Sequence, residues 1–370
     1  MAHKTIKNCL YSSIIITLLL IYQPVQAQYS FPKVDDWLSD NVKDLGGRAV
    51  ILIYKDGRMI YEQAENELNA KQKFVTRRIA KKTGRSASEM LKDFNGDTKL
   101  LIASCSKWLS AALVMTFVDE GKLKLSDSIG QFLPVMSATG KGNIALLQCL
   151  SHTTGIKPEP KENKALSSEV ATMDEAMRNI AAHQMEALPG EGFHYSSIGL
   201  QIAAAVIEKI SGKDFETLFH ERIAVPCGMT NTDFGHKHVP LAAGGGQGTA
   251  NDYIRFLQMI LAKGLYNGKR VLQASSVELM QQNYTAGKKI ISTPAEADNW
   301  GYGLGEWMLE ESPGEKVANA VTSPGLFGSF PWVDNKRQYV GILFCFNLKN
   351  KGRAEKYTTL KKLVDEQLDK

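Results

Sequence analysis

The stretch Ile102-Ala103-Ser104-Cys105-Ser106-Lys107-Trp108-Leu109 places a serine and a lysine, Ser104 and Lys107, three residues apart at the head of an apolar run. On a helix that spacing puts both side chains on one face, so the amine can meet the hydroxyl. A serine hydroxyl is a poor nucleophile until a neighbour takes its proton, and a lysine whose charge is disfavoured can take it. A helix N-terminus adds a field that favours negative charge developing beside it. Taken alone, S-x-x-K is a weak signal. A second copy runs from Ser30 to Lys33, broken by Pro32 in a stretch without pattern.

Working outward, Trp108, Leu109, Ala112, Leu113, Met115 and Val118 recur at helical spacing, which predicts a helix over 104–120 stopped by Gly121. The same pattern predicts helices over 198–210, ending at Gly212, and over 252–263, ending at Gly264. Towards the N-terminus, two β-rich runs, 48–54 and 59–61, flank an Asp56-Gly57 pair and read as a hairpin. A second hairpin is expected near the far end, with strands over 329–333 and 338–346 around a turn at 334–337. Tyr357, Leu360, Leu363, Val364 and Leu368 predict a closing helix within 352–370. One antiparallel sheet built by the two ends (about 48–62 and 317–347), with a mostly helical region inserted between them (about 104–285), follows from this order.

The chain carries 44% hydrophobic, 22% charged and 8% aromatic residues, with 31 Gly and 12 Pro spread along its 370 positions. That excludes wholesale disorder and a fibrous or coiled-coil protein, and it suits one large domain over a string of modules. Residues 1–27 read as a signal peptide. Lys4 and Lys7 precede a short apolar run from Ile14 to Ile21, and Val25-Gln26-Ala27 offers small residues where a signal peptidase cuts. The run falls short of the roughly 20 residues that span a bilayer, so a mature domain of 28–370, periplasmic or secreted and without a membrane span, is expected. Cleavage removes two lysines and no acids, leaving 42 − 39 = +3. So small a charge gives no reason to expect nucleic acid.

Cys105, Cys149, Cys227 and Cys345 are widely spaced; they could pair in an exported protein, but buried apolar thiols are the simpler reading. No histidine pattern with metal spacing is present, and no metal or cofactor is expected. The G-x-S-x-G elbow, the phosphate loop and the dinucleotide fingerprint are all missing. Lys71 to Arg85 holds seven basic residues in fifteen. It reads as a solvated surface helix or loop, or as a weak contact for an anionic surface that salt would loosen.

The flanks of Ser104 resolve the ambiguity of the short motif. From Ile102 through 117–126 and 129–134, the sequence resembles the active-serine region of the β-lactamase-related serine hydrolases, which include class C β-lactamases, D-amino-acid peptidases and family VIII-type esterases. The resemblance continues at 150–155 (LSHTTG), 189–199 (PGEGFHYSSIG), 207–212, 226–232, 243–253 and 301–305 (GYGLG), in family order over most of the chain. It implies a β-lactamase/transpeptidase-like α+β fold and a covalent acyl-enzyme mechanism. Ser104 would be the acylated nucleophile, Lys107 its amine partner, and Tyr195 the tyrosine of the Y-x-N element, acting as a phenolate base. An unperturbed phenol near pKa 10 is a poor base, so the ammonium of Lys107 would have to lower it. The family's K-T-G or H-x-G strand aligns with Ser323-Pro324-Gly325. The backbone N–H groups of Ser104 and Leu326 would then form the oxyanion hole, with Gly325 letting substrate lie close to the strand.

Two departures bear on substrate. Ser197 stands where Y-x-N has its Asn, and Ser323 where K-T-G has its Lys, so a hydroxyl replaces a substrate-holding amide and a carboxylate-binding cation. The expected substrate is therefore a small carboxylic ester or simple amide. The alternatives are a D-amino-acid peptidase or amidase or weak β-lactamase acting on cell-wall-like material, and a penicillin-binding-like module that recognises without turnover. His152 is expected to hold loop backbone, and His194 to lie beside Tyr195 without a set role. Gly244-Gly245-Gly246 reads as a tight turn, and Trp300 and Trp307 as pocket or core.

Overall fold

Seven strands form one antiparallel sheet, and the two ends of the chain build its middle. The strands are β1 (Arg48–Lys55), β2 (Arg58–Asn66), β3 (Gly301–Tyr302), β4 (Trp307–Glu310), β5 (Ala320–Thr322), β6 (Phe330–Asp334) and β7 (Tyr339–Cys345), in the order β2-β1-β7-β6-β5-β4-β3. In this computed structural model the described residues are 29–370, apart from 84–85, 236–238, 298, 313, 316 and 349–351. The expected signal segment lies outside them. Phe31–Lys370 forms one compact unit.

Both hairpins form where the turn residues place them. Asp56 (φ +50) and Gly57 (φ +77) supply the left-handed pair that joins β1 to β2. β1 and β7 pair from Ala49–Cys345 to Lys55–Tyr339, which ties residue 49 to residue 345. Both are apolar along their length because the sheet is covered on both faces. Val333, Val340, Ile342 and Phe344 point into the main core with Leu257, while Phe330, Trp332 and Tyr339 point the other way. There Tyr357 stacks on Phe330 with 4.3 Å between ring centroids, and the Tyr339 hydroxyl donates to Asp365 at 2.6 Å. The sequence reading stopped the sheet at residue 317. The structure extends it to β3 and β4, whose glycine-rich, two- and four-residue lengths carry too little alternation to be recognised as strands.

The helices are α1 (Pro32–Asn41), α2 (Ala70–Thr83), α3 (Ser106–Asp119), α4 (Ile198–Ser211), α5 (Ala250–Leu261) and α6 (Arg353–Leu368), with shorter turns between them. α5 starts two residues earlier than expected because the Thr249 hydroxyl caps it by accepting Asp252 N–H at 3.1 Å. α4 ends at Gly212 in the left-handed conformation (φ +69). α3 and α4 are buried almost all round, and their contact forms the centre of the helical region. α2 turns Gln72, Thr76 and Ala80 inward and leaves Lys71, Lys73, Arg77, Arg78 and Lys81 exposed together with Phe74 and Val75. Arg85 lies outside the described residues.

Cys105, Cys149, Cys227 and Cys345 are buried and unpaired. Among the described residues, the one set of three carboxylates close enough to share an ion is Glu310, Asp334 and Asp365. The buried ammonium of Lys361 already fills it, at 2.6, 2.9 and 2.8 Å.

Candidate active site

The chain reaches α3 through a strained bend. Ala103 holds φ +46, a left-handed conformation that non-glycine residues adopt at a cost, and a single 3-10 turn over Ala103–Cys105 leads into the α-helix. The expected helix over 104–120 is therefore α-helical only from Ser106. This bend presents Ser104, half-buried, at the mouth of a cavity of about 470 Å³ that Tyr195, Trp307, Glu296, Leu326 and Tyr357 help to line. A larger depression of about 950 Å³, bounded by Asp214, His220 and Asp233, contains none of these groups.

Lys107 lies one helical turn after Ser104 and is 3% exposed. Its Nζ sits 3.2 Å from Ser104 Oγ and donates to the Ala243 carbonyl at 2.8 Å. Burial lowers this lysine to about 7, opposed by the nearby carboxylate of Glu162. A neutral amine has two N–H groups and one lone pair. With Ala243 O fixing one N–H, the lone pair is available to the Ser104 proton.

The Ala243 carbonyl is held in turn by the glycine loop. Gly246 N–H donates to Ser106 Oγ at 3.0 Å and Ile102 N–H donates to Gly246 O at 2.9 Å. A Cβ on Gly246 would stand 2.7 Å from Ser106 Oγ, so only glycine fits this approach. Gln201, buried on α4, accepts Ala242 N–H at 3.0 Å and donates to Pro240 O at 2.9 Å. The loop read from sequence as a tight turn is thus a clamp on the S-x-x-K segment, and Gln201 supports it from behind.

Tyr195 packs over the same amine. Lys107 Nζ lies 4.6 Å from the centroid of its ring, and the rings of His152 and Trp307 lie 4.7 and 5.1 Å away. Neighbouring Ser104 and Trp307 favour the phenolate, but burial outweighs them and pushes the phenol up, away from the neutral range. The resemblance implied a Tyr195 phenolate held by the Lys107 ammonium, and burial works against charge on both groups. Desolvation acts on both groups, and it drives the lysine towards the amine and the tyrosine towards the phenol.

The remaining expected residues divide. Gly325 and Leu326 line the cavity with Ser104 and Tyr195. The glycine is required by packing: a Cβ there would stand 2.5 Å from the Ile102 carbonyl, so the strand end presses on the nucleophile's own segment. Among the described residues Leu326 N–H has no protein partner, while its carbonyl accepts from Arg353 at 2.7 Å. Ser323 does not face the cleft. Its hydroxyl is buried 3.2 Å from both the Ser104 and Gly305 carbonyls, which pins β5 to the bend before α3. Ser197 is buried at the start of α4 and does not line the cavity. His152, with φ +57, is held by Tyr302 at 3.1 Å, and burial lowers it well below its usual range, so it stays neutral. His194 is bound through Nδ1 to Glu186 at 2.5 Å. Trp307 lines the cavity, and Trp300 packs beside it.

The Beta-lactamase family profile matches residues 38–365. The chain belongs to the Beta-lactamase family. Members of this family are generally serine hydrolases. The chain is 23% identical over 262 residues to the D-alanyl-D-alanine-carboxypeptidase/endopeptidase AmpH of Escherichia coli K12, covering 63% of this chain and 66% of AmpH. It is 25% identical to protein Rv1367c of Mycobacterium tuberculosis H37Rv, over 64% of this chain and 72% of that one. A candidate β-lactamase from Bacteroides dorei superposes with a TM-score of 0.78 at 27% identity, covering 92% of this chain and all of that one. EstCE1, a hydrolase with promiscuous acyltransferase activity, shares the fold at 20% identity (TM-score 0.70, over 90% of this chain and 98% of that one). Among the described residues, no helix is long and apolar enough to cross a membrane.

Proposed function

We propose that this chain is an exported hydrolase that cleaves a neutral carboxylic ester or simple amide through an acyl-enzyme on Ser104. Lys107 takes the Ser104 proton as Oγ bonds to the substrate carbonyl carbon. The N–H groups of Ser104 and Leu326 receive the oxyanion, an arrangement typically worth about 3 kcal/mol per donor. Tyr195 passes a proton to the leaving group, and water then releases the acyl group by the reverse sequence.

The observation that carries the reading is the 3.2 Å approach of a desolvated Lys107 to Ser104 Oγ. The preference for neutral substrates rests on the cavity's guanidinium. Arg353 is committed to the carbonyls of Leu326 and Asn347 at 2.7 and 3.1 Å and lies 3.6 Å from Glu296, while no lysine stands at position 323 to meet a substrate carboxylate. The similarity to AmpH favours a second reading, a peptidase acting on D-alanyl substrates.

The test is intact mass of residues 28–370 within seconds of mixing with short-chain aryl esters, a cephalosporin and a D-alanyl amide, with Ser104→Ala alongside. A transient adduct on the wild type, absent from Ser104→Ala and fastest with the esters, is the expected result. Preference for the D-alanyl amide would favour the peptidase, and an adduct that never clears would favour recognition without turnover. N-terminal sequencing of secreted material, beginning at Gln28, tests export.

A further inference from the structure

Glu162 reaches the site from a segment whose backbone is bent inward. Lys161 before it holds φ +64, a conformation that non-glycine residues seldom take, and a π-turn over Lys164–Ser168 follows. The segment is anchored by Ser167 Oγ donating to Val239 O at 2.6 Å and by Asn179 donating to Ala165 O at 2.9 Å. Glu162 Oε1 accepts the Ser197 N–H at 2.8 Å, at the N-terminus of α4, where the Ser197 side chain makes no capping bond. Its other oxygen, Oε2, is buried with no hydrogen-bond partner. A carboxylate oxygen left so is costly unless a positive charge stands nearby. Ser197, whose N–H Glu162 accepts, stands two residues from Tyr195, whose ring centroid lies 4.6 Å from Lys107 Nζ, and the carboxylate favours positive charge on that lysine.

We propose that Glu162 is a positioning residue for acyl transfer at Ser104, its carboxylate stabilising the ammonium that Lys107 becomes when it takes the serine proton. This rests on the acyl-enzyme reading above. As the Ser104 O–H breaks, the proton moves to the Lys107 lone pair while the Oγ–carbon bond forms. The site then carries an ammonium and an oxyanion, with Glu162 as the fixed counter-charge. Tyr195 gives its hydroxyl proton to the departing group and takes the Lys107 proton in exchange, so the amine and the phenol are both restored. Most other titratable groups around the site do not supply a negative charge to Lys107, and the carboxylate of Glu296, which lines the cavity, lies 3.6 Å from the Arg353 guanidinium. Cys105 at the head of α3, Tyr195 before α4 and Glu306 on the hairpin packed against α3 are all pushed by burial towards their protonated forms, and His152 is neutral.

Glu162→Gln separates charge from structure, because the amide oxygen still accepts the Ser197 N–H. Removing the carboxylate makes Lys107 a weaker base. We expect the acid limb of kcat/KM for an aryl ester to move down by about one pH unit, as loss of a close opposite charge implies, and the plateau rate to fall at least roughly tenfold. Glu162→Asp keeps the charge and should return the limb towards the wild-type position. A helix-capping role alone would leave the limb in place in Glu162→Gln, and that result overturns the proposal even if the rate drops. Carbon-13 NMR of lysine-labelled protein reads the same quantity without substrate, since the buried lysine titrates near 7, well below exposed lysines. A midpoint unchanged by Glu162→Gln overturns the proposal, and a lowered midpoint supports it. Failure of the wild type to acylate with any ester would count against the acyl-enzyme reading alone.

Discussion

Replacing Lys107 with Met should stabilise the folded chain at neutral pH while removing its activity. Burial takes this lysine from the ordinary 10.5 to about 7, a difference of 10.5 − 7 = 3.5. At ~1.4 kcal/mol per pKa unit, the fully charged form is disfavoured by about 5 kcal/mol. Between pH 7 and 10.5 the unfolded chain holds a proton on Lys107 that the folded chain has lost, so wild-type stability rises with pH across that window. Below pH 7 both states are protonated and the whole penalty stands. The penalty is then about 4 kcal/mol at pH 7 and about 2 kcal/mol at pH 9. Methionine fills much the same volume and does not titrate, but it leaves the Ala243 carbonyl unpaired, at a cost of about 1–3 kcal/mol. Lys107→Met should therefore be more stable than wild type by about 1–3 kcal/mol at pH 7. That advantage should shrink by about 2 kcal/mol at pH 9. Urea unfolding of both proteins at the two pH values measures this difference of differences, in which the constant cost at Ala243 cancels. Ester kcat/KM should fall roughly 10²–10⁴-fold in the variant. An advantage that is the same at pH 7 and pH 9 would refute the reasoning, because Lys107 would then be charged in the folded state throughout.

Three further substitutions separate the roles at the site. Tyr195→Phe keeps the ring packed on Lys107, His152 and Trp307, so stability should hold within ~1 kcal/mol while stopped-flow ester hydrolysis slows roughly 10²–10⁴-fold; unchanged turnover would remove the phenol from the proton path. Gly325→Ala drives a Cβ to 2.5 Å from the Ile102 carbonyl, with backbone on both sides. It should destabilise by about 1–3 kcal/mol in thermal or urea unfolding, and it should lower kcat by shifting the bend that presents Ser104. Ser323→Ala removes a buried hydroxyl from between two carbonyls. Its expected cost is about 1 kcal/mol of stability, with no change in the relative rates on ester, amide and cephalosporin; a selective change in those rates would put the hydroxyl in contact with substrate.

Much of the fold could be read from sequence because its decisive signals are local. The Asp56-Gly57 turn, the uninterrupted apolar runs of β1 and β7, and the apolar periodicity of α3, α4 and α5 each follow from a few neighbouring residues. The nucleophile and its lysine are legible for the same reason, since one helical turn sets their distance. Glu162 and Gln201 were not legible. The first meets Ser197 across 35 positions of sequence and the second meets Ala242 across 41, and neither has a neighbouring residue that marks it. The two hydroxyl substitutions were legible as departures, but their meaning was not. Whether Ser323 faces substrate or backbone depends on how closely β5 approaches the Ala103 bend, and that approach is set by Gly325 and Gly305, not by the serine.

The assignment of acid and base shows most directly what sequence leaves open. A lysine and a tyrosine close together could share charge in either of two ways, as ammonium with phenolate or as amine with phenol, and composition is identical for both. Water decides between them. At the surface the ion pair would be tolerated, but Lys107 is enclosed by α3, α4 and the glycine loop, and the face of the Tyr195 ring, rather than its oxygen, lies against the ammonium position. The ring offers a cation only its quadrupole, about 2 kcal/mol when desolvated. That is less than the roughly 5 kcal/mol that burial takes from the charged lysine. With Lys107 lowered to about 7 and the Tyr195 phenol pushed up, the neutral pair prevails above pH 7, and below it Lys107 carries a proton. From the amine form, charge returns to Lys107 when Ser104 gives up its proton, and Glu162 is the carboxylate that favours it. A site built this way holds its reactive amine above pH 7 and gains an ammonium as the reaction proceeds, which is why its pH dependence should follow Lys107 more than the tyrosine.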